Sequence, residues 1–79
     1  MEKNHETNSQ RYTRQITEDF LRERSRIGQM TPELLLIFAD GQPEILGRVA
    51  AGLSQVAPGD PDLPIIHAMF HDLKRSKTG

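Results

Sequence analysis

Six consecutive apolar side chains, Leu34 to Ala39, constrain this chain more than any other feature, because they leave no polar side for water. The chain has 79 residues, enough for one compact domain, and domains of that size bury a smaller share of their surface than larger ones. The run therefore needs cover, either from the few elements around it or from another molecule.

Thr31, Pro32 and Glu33 stand directly before it and read as a helix start. The threonine hydroxyl can cap, the proline sits where its missing N–H is harmless, and the acid lies in the positive first turn. The competing reading is a buried strand turning back at Asp40-Gly41. Leucine and alanine favour helix, and with so explicit a start the sequence predicts a helix over 32–40 that ends at Gly41.

Three further helices are expected. Tyr12, Ile16 and Phe20 recur every fourth residue and Ile27 falls on the same stripe, which predicts a helix over 10–27 stopped by Gly28. Leu21 lies off the stripe. The polar side carries Arg14 with Glu18, Glu18 with Arg22, and Glu23 with Arg26 at helical spacing, each pair contributing ~0.3 kcal/mol. Pro43 and Glu44 open a helix over 43–54 with Ile45, Leu46, Val49 and Leu53 on its apolar side. Gly47 and Gly52 inside it each cost on the order of 1 kcal/mol against alanine, so another backbone or side chain is expected to approach closely. That neighbour is either a helix of this chain or a helix of a partner.

Residues 54–64 hold three prolines, a glycine and two aspartates, an irregular connection. Asp62 is placed to cap a last helix over 64–75, in which Ile65, Ile66, Met69, Phe70 and Leu73 fall within about 140 degrees of arc. Residues 1–9 contain no large apolar side chain beyond Met1 and are expected to form a disordered tail. The fold class expected is all-α: one four-helix domain over 10–76, packed around the second helix.

Composition excludes several kinds of chemistry. Without cysteine there is no disulfide, thiolate zinc site or cysteine nucleophile. The polar opening segment resembles neither a secretory signal nor a transit peptide, and no apolar run approaches the roughly 20 residues of a membrane span, so a cytoplasmic, soluble chain is expected. His67 and His71 are spaced to share a metal, with Asp72 beside them, but both fall on the polar side next to Lys74 and Arg75. They read as a solvated pair, and no metal or cofactor is expected. Ser25, Ser54 and Thr17 show no neighbouring base, and the glycines form no phosphate-binding pattern, so no enzyme activity and no small-molecule substrate are expected.

Two binding readings remain. In the first, part of the second helix stays exposed and is covered by another protein or a second copy, with Leu35, Phe38, Leu46, Gly47 and Ala50 as the contact of a regulatory or interaction protein. In the second, the segments 32–40 and 43–54 form a helix-turn-helix pair that binds DNA through Arg48, with Arg22, Arg26, Lys74 and Arg75 around it. The formal net charge of -1 gives DNA no overall attraction, and Glu44 puts an acid where phosphates would approach. Cations near the C-terminal end of a helix also complement its dipole without any ligand.

Overall fold

The computed structural model describes residues 6–78, with the side chains of residues 77 and 78 left out. It consists of α1 (Asn8–Ile27), α2 (Pro32–Ala39), α3 (Pro43–Val56) and α4 (Leu63–Thr78). There is no strand among the described residues, so the strand-and-hairpin alternative for residues 34–41 is overturned. Residues 1–5 of the expected tail lie outside the described residues. Ordered chain begins before residue 10: the Thr7 hydroxyl accepts from the Gln10 N–H, and the Gln10 side chain accepts from the Thr7 N–H. This reciprocal capping box satisfies two N–H groups that a helix end otherwise leaves open, and it starts α1 at Asn8.

The other boundaries follow local chemistry. Leu34 N–H donates to the Thr31 hydroxyl at 3.2 Å, which starts α2 as its sequence implies. The helix ends one residue before Asp40, not at Gly41, because Asp40 itself takes the left-handed conformation with φ 54°. Aspartate tolerates that region better than most residues, and the following Gly41, at φ 68°, completes the turn with its N–H on the Leu36 carbonyl. Pro43 at the start of α3 needs no donor there.

α3, not α2, is the centre of the domain. It lies between α1 and α4 and packs extensively on both, while α2 rests against α3 and α4. Small residues on two sides of α3 explain this. A Cβ added to Gly52 would stand 2.0 Å from the Thr17 hydroxyl oxygen of α1, and one added to Gly47 would stand 3.0 Å from a Phe70 ring carbon of α4. Five residues separate the glycines, about 140 degrees around the helix, so α1 and α4 approach different sides. The close neighbours expected of both glycines are therefore supplied by this chain. Among the largest fully buried side chains, Leu46, Val49 and Leu53 come from α3, with Phe20, Leu35 and Ile66 one each from α1, α2 and α4.

An ionic clasp closes the same side. Arg24, near the end of α1, donates to Asp60 at 2.8 and 2.9 Å and to Asp62 at 2.9 Å in the α3–α4 connection, with its guanidinium over the Phe20 ring. Asp60 also accepts from the Asp62 N–H, which shapes the turn into α4. Its side chain is only 6 % exposed. The charge-assisted bonds from Arg24 hold the Asp60 carboxyl below its usual range, and the two carboxylates raise the guanidinium in turn.

Candidate docking surface

α2 meets the problem posed by its sequence only in part. Leu35 and Ala39 are buried at 1 % and 0 %, and Phe38 is half-buried with its ring edge-on to Phe20 at 5.9 Å between centroids. Leu34 is half-buried as well. Leu36 and Ile37, on the remaining side, stay 41 % and 72 % exposed. The molecule measures 45 × 32 × 21 Å, and its short dimension is about two helix diameters of ~10 Å. In a body two layers thick no helix can be enclosed on every side, so an all-apolar helix must show some of its surface to water.

The residues expected to form a partner contact are distributed differently from that expectation. Leu35, Leu46 and Ala50 belong to this chain's own core and present no surface. Gly47 lies beneath Phe70, and Phe38 gives much of its ring to Phe20. The correction has one physical cause. Leu34, Leu35, Leu36, Ile37 and Phe38 are chemically interchangeable along a uniformly apolar run, so periodicity cannot tell which of them face α3 and α4. The exposed pair is Leu36 and Ile37, neither of which was singled out from the sequence.

The expected DNA-binding cations are likewise engaged. Arg48 donates to Glu44 at 3.2 Å, to the Ser9 carbonyl at 3.0 Å and to the Thr13 hydroxyl at 2.9 Å, and it covers the Tyr12 ring at 4.7 Å from the centroid. It fastens α3 to α1. Arg22 pairs with Asp19 at 2.9 Å instead of with Glu18, Arg26 pairs with Glu23, and Arg75 pairs with Asp72 at 2.9 Å. Lys74 lies over the Phe70 ring. The segment proposed as a recognition helix, α3, is the most enclosed of the four, and its exposed positions include Glu44, Ala51, Ser54 and Gln55. Major-groove reading requires a helix that projects from its domain.

Two other features have the outline of a site. An open groove of about 930 Å³ runs between α1 and α3, lined by residues that include Thr13, Thr17, Gln10, Gln55, Leu21 and Val56. Its buried hydroxyl, Thr17, already donates to the Thr13 carbonyl at 2.8 Å, and no buried side-chain polar atom lacks a partner among the described residues. His67 and His71 are both exposed, with the His71 ring against Phe70. Among the described residues no three His, Cys, Asp or Glu side chains converge as a metal site would require. No described helix is long and apolar enough to cross a membrane.

The chain matches no family model, and no curated protein or solved structure shows a significant likeness to it. Its functional reading therefore rests on surface chemistry.

Proposed function

We propose that this chain is a non-catalytic interaction module of a regulatory kind that docks onto another protein through the outward face of α2. One observation carries the reading: Ile37 and Leu36 stand side by side in the solvent, at 72 % and 41 % exposure, on a helix whose inner side is fully committed to the core. Burying a large aliphatic side chain contributes roughly 1.5–3 kcal/mol. Two of them fall short of the ~8 kcal/mol of a micromolar complex, so the contact is transient unless neighbouring polar groups add to it. The groove between α1 and α3 is consistent with the non-catalytic part of the reading, since its buried threonine is bonded to the Thr13 carbonyl and the Glu6 and Glu18 carboxylates that line it are paired with Arg14. The DNA alternative has less support, with Arg48 held between Glu44 and α1.

The test is site-specific photo-crosslinking in cells. A crosslinker at position 37 is expected to capture a discrete protein, while one at Gln15, exposed on α1, captures background only. Equal capture from the two positions would sink the reading. Because Ile37 is so exposed, Ile37→Ser is expected to leave the melting temperature unchanged while removing the crosslinked species formed by a reporter at position 36.

A further inference from the structure

The described carboxylates of this chain are almost all paired with arginine. Every described aspartate and glutamate outside α2 and its C-terminal turn has an arginine within ion-pair distance, whether on the surface or in the Arg24 clasp. Glu33 and Asp40 are the exceptions among the described residues, and both are exposed. They are also the two acids that bracket the uncovered apolar pair: Glu33 precedes Leu36 and Ile37 by three and four residues, and Asp40 follows them by four and three. Glu33, Leu36 and Ile37 share one face of α2 by helical spacing, and Asp40 stands at the C-terminal cap just beyond them. From Ile27 to Gly47 the sequence contains no lysine or arginine, so no basic side chain nearby in the chain pairs with the two acids. The negative end of the α2 dipole lies next to Asp40 and deepens the potential there.

A second copy of this chain is a poor occupant for such a face. An antiparallel pairing of two α2 helices centred between Leu36 and Ile37 sets Glu33 of each copy opposite Asp40 of the other. A parallel pairing sets each acid opposite itself. Either arrangement brings like charges together at the rim of the apolar contact they flank, where repulsion opposes association.

Resting on the docking reading above, we infer that the α2 face takes a cationic amphipathic segment of another protein. Its apolar side chains seat on Leu36 and Ile37, and its lysines or arginines meet Glu33 and Asp40. The whole chain is close to neutral, at -1, so a preference for cationic segments has to arise from this face and not from bulk charge.

Two short synthetic helical peptides test this, sharing one leucine face and differing only in whether lysine or glutamate flanks it. Each is titrated into the isotopically labelled full chain, with amide shifts locating the contact and fluorescence anisotropy giving the affinity. The lysine peptide is expected to move the amides of residues 33–40 and to bind about tenfold more tightly than the glutamate peptide. The gap should narrow as salt is raised and close in a Glu33→Gln, Asp40→Asn variant. Both positions are exposed and asparagine tolerates the left-handed backbone at position 40, so that variant is expected to remain folded. Equal affinity for the two peptides at residues 33–40 would overturn the charge inference while leaving the docking reading in place. Concentration-dependent self-association that moves the same amides would do likewise, naming a second copy as occupant. Shifts confined to other surfaces, or no binding of either peptide, would overturn the inference, and the crosslinking at position 37 separately decides the docking reading.

Discussion

α2 and α3 are neighbours in the chain and begin alike, each with proline in the first position and glutamate behind it, yet they meet opposite fates. α3 mixes large aliphatic residues with Gly47, Ala50 and Gly52, and its small positions let α1 and α4 close on two of its sides. α2 carries large apolar residues all round, and it ends at the edge of the molecule with Leu36 and Ile37 in water. Close approach follows from what a helix lacks at chosen positions more than from how apolar it is. A uniformly apolar helix gives every neighbour an equal welcome, and a chain this small has too few neighbours to accept.

The contrast is sharpest in paired truncations. Leu53→Ala in α3 empties a fully buried site and is expected to destabilise the fold by about 2–5 kcal/mol in chemical denaturation. Ile37→Ala removes a side chain of similar size from α2 and is expected to change stability by about 0.5 kcal/mol or less. Similar losses at the two positions would mean that α2 packs more tightly than its exposure indicates.

Gly52→Ala probes the crossing itself. The added methyl meets the Thr17 hydroxyl, so α1 and α3 must separate, at about 1–3 kcal/mol. Thr17→Ala in the same chain removes that oxygen and is expected to recover part of the loss, a coupling that a thermal-melt double-mutant cycle reads directly. Additive losses would show that the glycine is needed for some reason other than the approach of Thr17.

The smallest expected effect at neutral pH concerns acid. Asp60 has its folded-state pKa lowered by Arg24, so its contribution to stability is present above its ordinary value near 3.8 and is lost as pH falls through the lower folded value. Stability should therefore decline below about pH 4, and hydrogen exchange should show the α1–α3–α4 side loosening before the inner contacts of α2. Asp60→Asn is expected to flatten that pH dependence. An unchanged slope would remove the clasp from the account of what holds α1 to the α3–α4 connection.

Much of the fold was legible because its signals are local. Thr31-Pro32, Pro43 and Gly28 each act through their own backbone geometry, and the helices begin or end within one or two residues of them. The early start of α1 had a signal too, Thr7 three residues before Gln10, a capping box that the absence of large apolar side chains concealed. The Arg24 clasp had none. Arginine and aspartates more than thirty residues apart carry no periodicity, and only the packing of α1 beside the α3–α4 turn brings them within 3 Å.

By itself the sequence determined an all-α chain, the approximate limits of its helices, and the presence of an apolar run that needs cover on every side. Those conclusions follow from capping, backbone freedom and side-chain spacing, which act over a few residues. Tertiary structure alone decided that α3 is the centre, that Leu35 turns inward while Leu36 and Ile37 turn outward, and that Glu33 and Asp40 are the acids without an ion pair among the described residues. Burial and charge pairing depend on which surfaces meet, and on a helix apolar on every side that choice belongs to its neighbours.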